Sequence, residues 1–94
     1  MESNVRDNAR QHRFELEVGS VTAFIDYKRN GDVVTFAHTE VPDALSGKGV
    51  GSELMRGALD MVRAKGEKLV AQCPFTAAYV KKHAEYQDLL AEPL

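Results

Sequence analysis

One cysteine, three prolines and no tryptophan occur in this chain of 94 residues. A lone Cys73 cannot close an internal disulfide, so no disulfide framework is expected to hold the domain together. No apolar run approaches the roughly 20 residues needed to cross a bilayer, and the first residues lack the apolar core of a signal peptide. The expected location is therefore cytoplasmic and reducing. Neither sign of charge dominates: 12 basic against 14 acidic residues leave a formal net charge of -2. That balance argues against a nucleic-acid or anionic-membrane surface. No His/Cys cluster with metal-ligand spacing stands out, and no metal is expected. What remains, 44% hydrophobic and 28% charged residues, suits one folded domain with no room for a second core.

Residues 1–12 mix charges and amides without a period and read as a flexible N-terminal leader, with the domain proper over 13–94. Phe14, Leu16 and Val18 alternate with Glu15 and Glu17, the period-2 pattern of a strand with one buried face. The alternation resumes after Gly19 and Ser20, with Val21, Ala23, Ile25 and Tyr27 on one face, so these two strands form an antiparallel hairpin. Asn30-Gly31 marks a second tight turn. A third strand follows over 33–41, with Val34, Phe36, His38 and Glu40 on one face, until Pro42 ends it. Val50, Leu54, Met55, Ala58, Leu59, Met61 and Val62 recur at helical spacing over 49–65, and Gly66 terminates that helix. Leu69, Val70 and Ala71 predict a fourth strand, lying centrally in the sheet. Pro74 suits a first helical turn, and two short helical pieces are expected over 76–83 and 85–90. The order β-β-β-α-β-α gives an α/β (α+β) domain: a mixed, mainly antiparallel sheet of about four strands with helices packed on it.

Between the third strand and the long helix lies Ser46-Gly47-Lys48-Gly49-Val50-Gly51-Ser52. Its alternate glycines allow positive φ and close approach of a ligand to the backbone. The free N–H groups of a helix start, with the macrodipole behind them, suit a pyrophosphate, and Lys48 adds a mobile positive charge. A plain flexible loop that caps the helix explains the glycines equally well. Two phosphate-binding patterns fail. A P-loop needs Ser or Thr after its lysine, where Gly49 stands, and the dinucleotide fingerprint needs a parallel βαβ setting that three antiparallel strands do not offer.

The residues His38-Thr39-Glu40-Val41-Pro42, Leu45 and Gly47-Lys48-Gly49-Val50-Gly51-Ser52-Glu53-Leu54 resemble the coenzyme A loop of the GNAT acetyltransferase superfamily. With Cys73-Pro74-Phe75, Tyr79 and His83-Ala84-Glu85-Tyr86, the chain is similar to that superfamily's minimal, single-domain branch from about Phe14 to Leu89. The resemblance implies a GNAT-like sheet and acetyl-CoA as cofactor. It implies that Val41 supplies a strand edge for the pantetheine arm and that Gly47, Lys48, Gly49, Val50, Gly51 and Ser52 cradle the phosphates. The sequence departs from the pattern twice. Ser46 stands where the wider superfamily has Gln or Arg, and Ala84 where the minimal branch usually has proline.

Acetyl transfer to an amine needs a positioned thioester, a donor to its carbonyl oxygen and a neutral amine. Cys73 falls where a strand ends and a helix begins, a place that favours the thiolate. It is read either as an acyl-accepting nucleophile beside the cofactor thiol or as a small buried hydrophobe. Glu40 and His38 alternate with Phe36 and so are expected on its buried face. There Glu40 is either a catalytic base or a residue paired to a neighbour. His83, at a helix end, suits either the last carbonyls or a cofactor phosphate. The Lys81-Lys82 pair is a solvated helix face or a partner for the nucleotide 3′-phosphate.

The expected function is acetyl-CoA-dependent N-acetylation of an amine. Only Gly19 and Ser20 separate the first two strands, where full-length relatives carry substrate-binding helices, so the acceptor side is open and a protein or peptide amine fits best. A non-catalytic coenzyme A binding or protein-interaction module is the alternative. Oligomeric state is not legible.

Overall fold

A computed structural model describes residues 4–93. Its strands are β1 (Arg6–Asn8), β2 (Arg13–Val18), β3 (Val21–Asn30), β4 (Val33–Glu40) and β5 (Lys68–Ala71). The helices are α1 (Val50–Ala64) and α2 (Pro74–Lys82), with 3-10 turns at Asp43–Leu45 and Ala84–Leu89. The five strands form one sheet in sequential order, antiparallel except where β4 meets β5. The expected mixed, mainly antiparallel sheet with helices packed on it is thus present, with one strand more than anticipated.

Both hairpins follow from local chemistry. Gly19 turns β2 into β3 at φ 64, with Val18 opposite Val21. In the next turn Asn30 already pairs with Val33, so Gly31 and Asp32 form the loop and Gly31 carries the positive φ of 63. Helix α1 ends as its sequence predicts. The N–H of Gly66 donates to the Arg63 carbonyl and that of Glu67 to the Val62 carbonyl, a Schellman closure that Gly66 permits at φ 69. The alternating positions Phe14, Leu16, Ala23, Ile25, Val34 and Phe36 then meet Leu54, Met55, Ala58, Leu59 and Val62 of α1, all essentially excluded from solvent. Burying each of the larger aliphatic side chains stabilises the fold by about 1.5–3 kcal/mol.

Three expectations are corrected. Part of the expected leader is structured: β1 pairs with β2, Arg6 opposite Glu15, and Val5 enters the core at 3% exposure. Charge and hydrogen bonding hold it, since Glu15 accepts from Asn8 and Arg13 and faces Arg6 at 3.6 Å. Residues 1–3 and 94 lie outside the described residues. Strand β5 is not central but terminal. Its free side is covered by the following segment, Leu69 bridging Leu90 and its carbonyl accepting from the Ala91 N–H at 2.8 Å. Third, β4 does not keep one alternation. Asp26 pairs with His38 but Tyr27 with Phe36, so Ala37 is an extra residue, a bulge. Beyond it the faces swap: Thr39, opposite Ile25, turns to the core side, whereas His38 and Glu40 turn out beside Phe24.

A polar knot ties β1 to the rest. Tyr27 Oη donates to Asp7, and Arg29 donates to Tyr27 Oη at 2.9 Å, to Asp7 at 3.0 Å and to Glu67 at 2.8 Å. Burial would raise the Asp7 carboxyl, but hydrogen bonds from Tyr27, Arg29 and Lys65 outweigh it and hold the group below its ordinary 3.8. Glu15 likewise sits below 4.5, the push of burial being overcome by Arg13 and Asn8. Tyr27 is pushed up to about 12 by burial and by Asp7. Carboxyls depressed in the fold bind protons more readily once unfolded, so their stabilisation is complete above the ordinary carboxylate range and lost as pH falls through it and below. Denaturant titrations from pH 6 to pH 3 should show a steep loss of stability, and Asp7→Asn with Glu15→Gln should flatten that slope. An unchanged slope in the double variant would remove these groups as its source.

Candidate functional site

Strand β5 stops while β4 continues, and this opens the site. The last paired residues are Phe36 and Ala71, after which the Cys73 N–H donates to the Phe36 carbonyl at 2.8 Å. From there the chain leaves the sheet into α2, and residues 37–40 of β4 keep β3 on one side with no strand on the other. An unpaired strand edge offers N–H and C=O groups to an extended ligand. Val41 lies at the end of that edge, where the chain enters the turn anchored by buried Leu45.

The turn itself has the conformation its glycines suggest. Gly47 and Gly49 adopt φ 77 and 73, and Gly49 is the residue preceding α1. No side chain caps this helix start, whose first backbone bond runs from Glu53 N–H to the Gly49 carbonyl at 3.1 Å. Among the described residues the N–H groups of Val50, Gly51 and Ser52 have no partner. They border a cavity of ≈ 270 Å³ whose walls include Val41, Gly47, Gly51 and Phe75. Gly51 sits in close contact with the ring of Phe75: a Cβ there would lie 2.8 Å from Phe75 Cζ and 3.5 Å from Val41 Cγ2. Three free N–H groups at a fifteen-residue helix start form a ready anion site. Lys48 is exposed and is not among the residues lining this cavity.

Cys73 sits at the head of α2 with extended backbone, φ -72 and ψ 129, and is 4% exposed. Its Sγ lies 3.3 Å from Thr39 Oγ1, and the Phe75 and Thr76 N–H groups face it. Burial pushes the thiol up, yet hydrogen bonding with Thr39 and with those N–H groups prevails and holds it below the ordinary 9.0. Thr76 is fully buried, and its hydroxyl, the remaining polar group near the sulfur, makes no hydrogen bond of normal geometry. The cysteine is therefore buried and poised at once, a combination the two opposed sequence readings kept apart.

Glu40 does not share the buried face expected for it. The bulge at Ala37 turns it to the outer side, where its carboxylate meets His38 Nε2 at 3.1 Å and both side chains are more than half exposed. Thr39 takes the inner position beside Cys73 instead. Neither Thr39 nor Thr76 was singled out by sequence, because a bulge and an i, i+3 approach to sulfur leave no compositional trace. His83 stacks on Tyr79, ring centroids 3.9 Å apart at 14°, and its Nδ1–H donates to the Tyr79 carbonyl at 2.8 Å. Together with Ser52, Phe75, Ala78 and Lys82 the pair lines a second cavity of ≈ 340 Å³, which shares Ser52 and Phe75 with the first. No cluster of metal-ligating side chains occurs among the described residues.

Comparison with known proteins agrees with this fold. The family model described as GCN5-related N-acetyl-transferase matches residues 13–89. Protein NATD1 of Homo sapiens is 39% identical over 51 residues, 54% of this chain and 45% of that protein. NATD1 of Xenopus tropicalis is 38% identical over 50 residues, 53% and 46% of the two chains. The chain spans about half the length of the curated relatives it matches. A GCN5-like protein of Staphylococcus aureus, solved in solution by NMR, shares the fold with a TM-score of 0.72 at 26% identity, over 100% of this chain and 93% of that one.

Proposed function

The chain belongs to the GCN5-related N-acetyltransferase family, and from that premise we propose that it transfers an acetyl group from acetyl-CoA to an amine by way of Cys73. The observation that carries this reading is the placement of a hydrogen-bonded cysteine at the mouth of the gap between β4 and β5, two residues before Phe75, which lines the cavity at the uncapped α1 start. The fit of coenzyme A rests on this chain's own groups. The N–H groups of Val50, Gly51 and Ser52 hold the pyrophosphate, the edge of residues 37–41 holds the pantetheine amides, and the thioester supplies the activated acetyl carbon.

The Cys73 sulfur bonds to that carbonyl carbon, and the carbon–sulfur bond to coenzyme A breaks. The coenzyme leaves as a free thiol carrying the proton Cys73 gave up. Thr39 and the Phe75 and Thr76 N–H groups hold the attacking sulfur in place. A neutral amine then attacks the acetylated Cys73, the product amide leaves, and one amine proton returns to the sulfur. Glu40 and His38 face the outer side and do not touch the sulfur, so this step asks nothing of them.

With only Gly19 and Ser20 between β2 and β3, no inserted helix among the described residues encloses the acceptor, which favours a protein or peptide amine. Thiol release from acetyl-CoA should be faster by about tenfold or more with a lysine-bearing peptide than with a small polyamine at equal amine concentration. The reverse order would overturn the acceptor assignment. Coenzyme A binding without release to any amine would instead favour a non-catalytic module, a reading that the loss of the usual Gln or Arg at Ser46 keeps in play.

A further inference from the structure

Among the described residues a single buried side-chain oxygen or nitrogen lacks a hydrogen bond: Thr76 Oγ1. The residue is fully buried in the first turn of α2, three positions after Cys73. A buried hydroxyl left unpaired is destabilising, and a valine would fill nearly the same volume without that cost. A helical threonine can turn its hydroxyl to the carbonyl three residues back. Here that carbonyl belongs to Cys73 and already receives the Ala77 N–H at 3.0 Å. The other acceptor near the hydroxyl is the Cys73 sulfur, which the Thr76 side chain and its N–H both approach.

What the sulfur asks of its neighbours changes with its proton. As a thiol it donates to Thr39 Oγ1 at 3.3 Å and is a weak acceptor; as a thiolate it donates nothing and accepts strongly. No charged side chain is among the groups that act most strongly on it. On β4, His38 and Glu40 face the outer side. Lys68 lies at the far end of β5, Lys81 and Lys82 occupy the last turn of α2, and on α1 Arg56 pairs with Asp60. Neutral donors therefore carry the anion. We propose that Thr76 is a positioning residue, its hydroxyl held in reserve while Cys73 is a thiol and donating to the sulfur once the proton has left. The use of this contact rests on the Cys73 chemistry above, whereas the contact itself needs no acetyl donor.

Alkylation of the full chain by iodoacetamide from neutral to alkaline pH, followed by mass spectrometry, tests it. The sulfur reacts as the thiolate, forming a carbon–sulfur bond as iodide leaves. Thr76→Val should react about tenfold more slowly on the rising part of the profile and level off at higher pH, with a plateau rate within about twofold of the unmodified chain's. Thr76→Ser keeps the hydroxyl and should follow the unmodified chain. An unshifted profile in a folded Thr76→Val, or an equal shift in Thr76→Ser, overturns the proposal. Should Thr76→Val fail to fold, Thr76→Ala against Thr76→Ser makes the same comparison, with a shift expected in Thr76→Ala alone. Acetyl uptake from acetyl-CoA by the unmodified chain is a separate readout. A shifted alkylation profile without uptake keeps the role of Thr76 and removes the acetyl reading, and uptake with an unshifted profile does the reverse.

Discussion

Cys73→Ala should still bind coenzyme A but release its thiol from acetyl-CoA about a thousandfold more slowly or worse, and should gain no acetyl group when incubated with acetyl-CoA alone. The unmodified chain should gain one, located at Cys73 by mass spectrometry. Folding should be little affected, since replacing a small buried side chain costs about 1 kcal/mol. Reactivity follows the thiolate. Because Thr39 and the α2 N–H groups hold the thiol below 9.0, the rate of acetyl uptake should rise with pH and level off below that value. Thr39→Val should shift the levelling point upward, a readout that loss of packing alone would not move. Full activity in Cys73→Ala would mean direct attack by the amine on the cofactor thioester and would reduce Cys73 to a core residue.

Gly51→Val should produce the other large effect, and on binding rather than on stability. Gly51 is helical and free of positive φ, so a side chain there brings no backbone strain, and helix propensity changes by less than about 1 kcal/mol. What the added carbon meets is Phe75 Cζ at 2.8 Å, the far end of a partly exposed ring that can swing away. That ring is a wall of the cavity at the α1 start, so the added side chain and the displaced ring crowd the proposed pyrophosphate seat. Affinity for coenzyme A should fall about a hundredfold, with thermal stability nearly unchanged. Gly31→Val is the opposite case. At φ 63 with open space around it, it should lose about 1–2 kcal/mol of stability and keep its affinity. Similar losses of affinity in the two variants would show that the Gly51 effect is general destabilisation.

Much of this architecture was legible before any coordinates. The alternation from Phe14 to Tyr27, the stripe from Val50 to Val62, and Pro74 at the head of α2 each fix an element through burial or φ, which side-chain type reports directly. The glycine turn was legible for the same reason, Gly47 and Gly49 being needed at positive φ. What escaped depends on partners distant in sequence. Arg6-Asp7-Asn8 has no hydrophobic period and becomes a strand only because Glu15, Tyr27 and Arg29 supply charge and hydrogen bonds. The bulge escaped because Ala37 fits either face, so the count from Phe36 to Glu40 ran on unbroken and put His38 and Glu40, in place of Thr39, on the buried face. The terminal place of β5 escaped because an apolar strand covered on its open side by Leu90 and Ala91 has the same composition as one between two strands.

That covering segment also bears on how neighbouring molecules treat one another. A naked Leu69-Val70 margin would recruit any extended chain, a second copy included, and such recruitment is the first step towards fibres. Here the Ala91 N–H already occupies the Leu69 carbonyl, so the margin is sealed from within. At the opposite side of the sheet, three polar residues ending in Asn8 make a poor template. Residues 37–40 of β4 keep one side open to strand addition, and that is the edge the proposed pantetheine arm would use.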